Sequence, residues 1–320
     1  MALAISFHDR LAQDDCASLR DEVLAGFAAE PKRLAPKFFY DRRGSELFEE
    51  ITHLPEYYLT RTEEGILASA ADEIADRLGR DVTLVELGSG ASRKVRLLLE
   101  ALRPARYLGI DISRDFLLSS TQRLADDYPW LSVHALHADF SRPLALPGAL
   151  DGGRPVAFFP GSSIGNFTPA EARIFLRNLH RLLPRSGGLL IGVDQPKERS
   201  VLEAAYNDSA GVTAAFNLNL LERIRRELDT DLDPARFRHH AFYNEAESRI
   251  EMHLVSRRAQ TLRLEGRRFM FREGESLHTE NSCKYAPETF RELAASSGFR
   301  PAAHWTDPNR WFSVHYLTRE

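Results

Sequence analysis

From residue 62 onward, apolar and polar positions along the chain follow two alternating rhythms. Ile66, Ala70, Ile74 and Leu78 recur every fourth residue, which predicts a helix over 62–79. The short apolar run 82–87 then predicts a buried strand leading directly into Gly88-Ser89-Gly90. A helix follows with Val95, Leu98, Leu99 and Leu102 inward, and 106–111 repeats the strand pattern with Ser113 as cap of the next helix. Further strand-like runs lie at 133–138, 156–159 and 189–193. Between the last two, Thr168-Pro169-Ala170-Glu171 combines an N-cap, a proline at the first helical position and a capping-box glutamate. The helix it opens is expected to bury Ile174, Phe175, Leu179 and Leu182. Strands alternating with helices over 62–195 predict an α/β fold with a parallel, doubly wound sheet.

Beyond 195 the alternation stops. A long helix is predicted over 214–228, with Phe216, Leu220, Ile224 and Leu228 on one stripe. Residues 249–263 read as antiparallel strand with Ile250, Met252 and Leu254 on one face. A helix over 287–297 stops at Gly298, and strands 302–306 and 312–317 close the chain. At the other end, Asp14 or Asp15 caps a helix burying Leu19, Val23, Leu24 and Phe27. After it, Phe38, Phe39, Tyr40, Phe48, Tyr57 and Tyr58 crowd into a stretch without periodicity. So many rings beside polar residues form either a satellite core or the wall of a small-molecule pocket. The expected division is 62–195 plus 287–320 as one domain, and 1–61 plus 196–286 as a second, α+β domain. No repeat or linker separates them, so the second is an insertion rather than a tethered module.

Composition narrows the class. The 320 residues are 43% hydrophobic and 28% charged, which suits a globular core and excludes disordered or fibrous chains. Lys+Arg of 42 against Asp+Glu of 46 gives a net charge of −4, so no global field attracts nucleic acid. The only cysteines, Cys16 and Cys283, have no metal-ligand or disulfide spacing, as expected in a reducing cytosol. No apolar run is long enough to span a membrane, and the first residues lack a signal-peptide core. The expectation is a soluble, cytoplasmic monomer with no nucleic-acid or membrane partner.

In open α/β sheets, ligands sit at the carboxyl ends of the strands. The first such end carries Glu86-Leu87-Gly88-Ser89-Gly90. A dinucleotide fingerprint would need a third glycine at position 93, where arginine stands. The shorter pattern acidic-x-G-x-G of S-adenosylmethionine (SAM) methyltransferases is met by Glu86, Gly88 and Gly90. Asp111 ends the second strand, placed to accept from ribose hydroxyls. Asp139-Phe140 ends the third, with a carboxylate for an adenine amine and a ring for the base. Singly, each acid is an ordinary strand-end residue; three in register point to SAM. The fourth strand ends in Gly161-Ser162-Ser163-Ile164-Gly165-Asn166, where small residues leave room for reacting atoms. Asn166 has amide donors for a substrate carboxylate, or it supports the turn.

These strings, together with 36–41 (PKFFYD), 54–58 (LPEYY), 210–217 (AGVTAAFN) and 279–284 (TENSCK), resemble the histidine-specific, SAM-dependent Nα-methyltransferases. That family makes the betaine hercynine, the first step of ergothioneine biosynthesis. The resemblance covers roughly residues 30–320. It implies a class I SAM-methyltransferase, Rossmann-like sheet with a second α+β substrate-binding domain. It also implies cofactor contacts at Tyr40, Gly88, Lys94, Asp111, Asp139 and Phe140, alongside Glu86 and Gly90. A histidine pocket is implied at Phe48, Tyr57, Gly161, Ser163, Asn166, Tyr206, Met252, Glu280 and Ser282. Within these sets, Tyr40, Gly161 and Asn166 are read as catalytic, Asn166 and Tyr206 as carboxylate ligands, and Tyr57, Glu280 and Ser282 as readers of the imidazole. Two departures stand out: Asn281 replaces an apolar residue at an expected pocket position, and Ser163 replaces a threonine. They leave open another substrate, such as tryptophan or a histidine derivative. A third reading, a non-catalytic SAM sensor, predicts SAM binding without transfer. His239, His240 and the basic run 223–226 read as solvated faces.

Overall fold

A strand buried on both faces belongs inside a parallel sheet, and Val82–Leu87 is buried throughout. The computed structural model describes residues 5–11, 15–148 and 154–319, without the side chains of 15–18. The cap expected at Asp14 or Asp15 and the thiol of Cys16 therefore lie outside the described residues. The chain opens with β1 (Ser6–Asp9), α1 (Asp15–Ala28), α2 (Arg42–Thr52), α3 (Tyr58–Ser69) and α4 (Ala71–Leu78). Then come β2 (Val82–Leu87), α5 (Arg93–Leu102), β3 (Arg106–Asp111), α6 (Arg114–Asp127), β4 (Ser132–His137) and β5 (Arg154–Phe159). Next are α7 (Pro169–Leu182), β6 (Gly188–Asp194), α8 (Arg199–Ala204), α9 (Val212–Glu227), β7 (Phe237–Asn244) and β8 (Arg249–Ser256). Last are β9 (Gln260–Leu264), β10 (Arg267–Phe271), β11 (Ser276–Cys283), α10 (Pro287–Ser296), β12 (Phe299–Thr306) and β13 (Phe312–Arg319).

The chain divides into two units. The first comprises Met1–Leu11, Leu59–Pro196 and Cys283–Glu320; the second comprises Ala12–Tyr58 and Lys197–Ser282. In the first, one sheet has the order β1-β4-β3-β2-β5-β6-β13-β12. Its strands are parallel from β1 to β6, and the β12–β13 hairpin joins antiparallel to β6. Strand order reverses between β2 and β5, so the loops after these two strands flank the switch point where ligands bind. The capping box of α7 forms as expected, Thr168 Oγ1 accepting from the Glu171 N–H at 3.4 Å while Glu171 Oε2 accepts from the Thr168 N–H at 2.8 Å.

Several expectations change. Residues 1–61 do not stay in one unit, because Ser6–Asp9 pairs with β4. A four-residue polar edge strand carries no apolar alternation to reveal it. The helix expected over 62–79 is two, broken at Ala70, where φ is −110°. There Ser69 Oγ donates to the Ile66 carbonyl at 3.1 Å, a local bond that competes with helix propagation. Ile174 is 59% exposed and α7 buries Leu176 in its place, with Phe175 and Leu179 buried as expected. Ser113 does not cap α6 with its side chain. Instead Asp111 Oδ1 accepts the Ser113 N–H at 2.9 Å. The strand expected over 249–263 is the pair β8 and β9, with a turn between them.

The second unit is α+β. Its three-stranded sheet runs β11-β8-β7, and β9 and β10 form a separate hairpin. Helix α9 packs Phe216, Leu220 and Ile224 inward as its stripe predicts. Asp208 holds the start of α9, accepting N–H groups of Val212 and Thr213 at 2.8 Å each.

Candidate active site

In the first unit the site is built from backbone. After β2 the chain turns through Gly88 (φ +69°) and Gly90 (φ +49°), the left-handed region that glycine enters without steric cost. The Gly88 and Ser89 N–H groups donate to the Ile110 carbonyl, and the Gly90 N–H donates to Asp111 Oδ2 at 2.9 Å. Asp111 thus stands at the end of β3 as expected, its carboxylate accepting the N–H groups of Gly90, Ser113 and Ile112 with acceptor capacity left for a ligand hydroxyl. Burial pushes its pKa up, against the lowering effect of those N–H groups. A Cβ on Gly88 would sit 3.3 Å from the Phe140 ring, so Phe140 lies directly over the loop. Asp139 Oδ1 accepts the N–H and hydroxyl of Ser141, shaping its own turn. Glu86 is 1% exposed and accepts the Tyr107 hydroxyl at 2.6 Å. Burial raises its pKa to about 8 despite that bond. It supports the loop from within, where the sequence pattern had offered it as a ligand contact.

A residue absent from the sequence reading organises the opposite side of the switch point. Glu63, on α3, has no side-chain exposure and meets Lys94 Nζ at 2.5 Å. The same carboxylate accepts the Gly161 N–H at 2.8 Å. A Cβ on Gly192 would lie 1.9 Å from Glu63 Oε1, so bare backbone on β6 makes room for it. Gly161 (φ +81°) would place a Cβ 3.4 Å from Ser163 Oγ and 3.5 Å from Lys94 Nζ. Lys94, Gly161 and Ser163 therefore lie together, with Glu63 joining them. The signal for Glu63 was its position three and four residues before the buried Ile66 and Leu67, a charge on an apolar helical face. Asn166 ends a one-turn helix over Ser163–Asn166, half-buried, and its amide makes no hydrogen bond among the described residues. Behind it, Ser162 Oγ accepts the Asp194 N–H at 2.9 Å. Asp194 in turn pairs with Lys284 at 2.7 Å, both side chains fully buried.

In the second unit the site is built from side chains. Tyr40, Phe48 and Phe216 form an array with ring centroids 5.7–6.0 Å apart. It continues through Tyr57, 6.4 Å from Phe48, to Tyr206, 6.2 Å from Tyr57. The Tyr206 hydroxyl donates to Ser282 Oγ at 2.7 Å. Glu280, on the same strand as Ser282, is 9% exposed, and Met252 is buried at 1%.

Behind these lies a network that the sequence did not show. Asn217 Nδ2 donates to the His253 carbonyl (3.1 Å) and to His239 Nδ1 (2.9 Å), and Asn217 Oδ1 accepts the Thr279 hydroxyl (2.8 Å). His239 Nε2 donates to the Tyr206 carbonyl at 2.8 Å. With one ring nitrogen donating and the other accepting, the imidazole is neutral, and burial lowers its pKa accordingly. His239 is thus no solvated residue; it fixes the backbone of Tyr206. Asn281 is also displaced from its expected role. Its Oδ1 accepts from His278 Nε2 at 3.0 Å, whereas Thr279 and Ser282 bond toward Asn217 and Tyr206. The departure at Asn281 therefore falls on the sheet face away from Ser282.

A family model described as histidine-specific methyltransferase, SAM-dependent, matches residues 19–319. Histidine N-alpha-methyltransferase of Mycolicibacterium smegmatis is 43% identical over 325 residues, covering 99% of this chain and all of that protein. The Mycobacterium tuberculosis protein of the same name is 40% identical over 313 residues, covering 95% and 96%. Ergothioneine biosynthesis protein 1 of Neurospora crassa is 31% identical, covering 94% of this chain and 35% of that longer protein. With the glycine turn, the strand order and this match over nearly its full length, the chain belongs to the histidine-specific, SAM-dependent methyltransferase family, on a class I methyltransferase fold.

Proposed function

We propose that this enzyme transfers three methyl groups from SAM to the α-amino nitrogen of L-histidine, giving hercynine as the first step of ergothioneine biosynthesis. The names of its relatives support the substrate, and one observation carries it: a buried carboxylate, Glu280, stands two residues from the Tyr206–Ser282 bond in an otherwise aromatic setting. A carboxylate in that setting accepts hydrogen bonds, which an imidazole N–H can donate and a phenyl ring cannot. Ser282, whose Oγ accepts from Tyr206, brings a hydroxyl to the same strand for the second ring nitrogen. Because Tyr206 spends its O–H there, Asn166 is the stronger candidate for the substrate carboxylate.

The first unit fits the cofactor. Glycines at 88, 90 and 161 keep the strand ends bare, Asp111 retains acceptor capacity, and Phe140 offers a ring face beside the loop. When bound, SAM supplies a methyl group already activated by its sulfonium. What remains for the protein is orientation: the bound amino acid has to present a neutral amine lone pair to the methyl carbon. Each transfer releases one proton, and the third leaves a quaternary nitrogen with no lone pair, so the sequence ends by itself. The test is direct. Purified protein with SAM and L-histidine should give a product heavier by three methylene units. Turnover of another amine but not histidine would end the proposal.

A further inference from the structure

Strands β7 and β8 pair so that His240 faces His253 and Phe242 faces Glu251. Alternation puts Glu251 and His253 on one face of the sheet and Met252 on the other. On that face Phe242 stacks on His253 at 5.5 Å, and His253 lies 5.0 Å from His278 of β11, ring centre to ring centre. One donor atom from each of Glu251, His253 and His278 lies within 4.8 Å of the others. This is the face on which Asn281 also sits, away from Ser282 and Tyr206.

The bonds among these groups leave lone pairs. Glu251 Oε1 is occupied by Asn244 at 2.9 Å and by Arg249 at 2.8 Å, but Oε2 takes only His253 Nε2 at 3.0 Å. A carboxylate only accepts, so Nε2 of His253 carries the ring proton and Nδ1 keeps its lone pair. Among the described residues that Nδ1 is buried without a hydrogen-bond partner, so the ring can take the second tautomer, with the proton on Nδ1 and Nε2 free to ligate. His278 repeats the arrangement, with Nε2 donating to Asn281 Oδ1 at 3.0 Å and Nδ1 left as acceptor. Held at Nε2 by an amide oxygen, His278 has the usual surrounding of a metal-binding imidazole, while His253 Nε2 and Glu251 Oε2, 3.0 Å apart, are the pair an ion takes when it replaces the proton between them.

We infer that Glu251, His253 and His278 form a binding site for a divalent zinc-type ion on the substrate-binding unit. Two imidazoles and one carboxylate suit zinc, cobalt or nickel rather than magnesium or calcium, which prefer all-oxygen sites. Ligands around a tetrahedral ion lie about 3.4 Å apart, so the widest of these separations, up to 4.8 Å, closes by roughly 1 Å, with water as the fourth ligand. The ion joins β8 to β11, the strands that carry Met252 and Glu280. Its role is to brace the substrate-binding sheet, apart from the methyl-transfer chemistry.

The test uses the full, untagged chain, stripped with chelator and titrated with Zn2+ by calorimetry, and separately with Co2+ followed by its visible absorption. The site predicts one saturable Zn2+ per chain, a tetrahedral cobalt spectrum and a Zn2+-dependent rise in melting temperature. H278Q and E251Q should each weaken Zn2+ about 10-fold or more while unfolding like wild type in chelator. No saturable binding, an octahedral cobalt spectrum, or binding unchanged in both variants overturns it. The cobalt spectrum of the unmodified chain decides the matter even if a variant folds poorly.

Discussion

The two units build their sites from different materials. In the first, the decisive groups are backbone: glycines with positive φ after β2 and β5, tied down by Asp111 and Glu63. In the second, they are side chains brought from distant parts of the chain, with Tyr206, Asn217, His239, Thr279 and Ser282 linked by hydrogen bonds. Turns leave a local signature in sequence, because only certain residues adopt them. A network has no such signature, because each member is unremarkable until the others are in place.

Substitutions separate the two constructions. The largest loss is expected for Glu63→Ala, which strands Lys94 and removes an acceptor from Gly161. Breaking a buried ion pair costs about 3–5 kcal/mol, less here because Lys94 keeps some solvent. Denaturant unfolding and SAM calorimetry should both register it, while Glu63→Gln retains the Gly161 bond and loses less. Asn217→Ala deletes three bonds in the second unit and should cost about 2–3 kcal/mol. There histidine affinity should fall while SAM affinity stays within a factor of two; an equal fall in both would blur the contrast between the units.

Glu86→Gln probes pH. The folded pKa of Glu86 is raised from 4.5 to about 8, chiefly by burial, so its contribution is complete below 4.5 and is lost as pH rises through about 8. Wild type should therefore weaken relative to Glu86→Gln across that window, by at most about 1.4 kcal/mol per pH unit. Parallel stability curves would contradict the burial argument. The smallest effect is expected for Gly88→Ala, where positive φ and the nearby Phe140 ring together cost about 1 kcal/mol. Its melting temperature should drop slightly and its SAM affinity more.

Legibility in the sequence followed the same division. The glycine turn, Asp111 and Phe140 stand at strand ends, so reading the strands located them. Gly161 and Asn166 were found likewise, at the end of β5. Glu280, Ser282 and Tyr206 came only through family resemblance, since a lone glutamate in a polar stretch reads as surface. Glu63 is hard to pick out because a single acid in a helix reads as a solvated face until its burial is seen. His239 reads as solvated because nothing in its neighbours announces that its ring closes on the Tyr206 carbonyl. The edge strand Ser6–Asp9 is too short and polar to carry a pattern, and its pairing with β4 spans more than a hundred residues.

The most direct test of the central claim, that Glu280 and Ser282 read an imidazole, is calorimetry of wild type and Glu280→Ala with L-histidine, L-tryptophan and L-phenylalanine in the presence of demethylated cofactor. The account predicts that wild type binds histidine alone, that Glu280→Ala loses about 10- to 100-fold in histidine affinity, and that cofactor binding is unchanged. Equal binding of tryptophan and histidine by wild type, or no loss on removing the carboxylate, would contradict it.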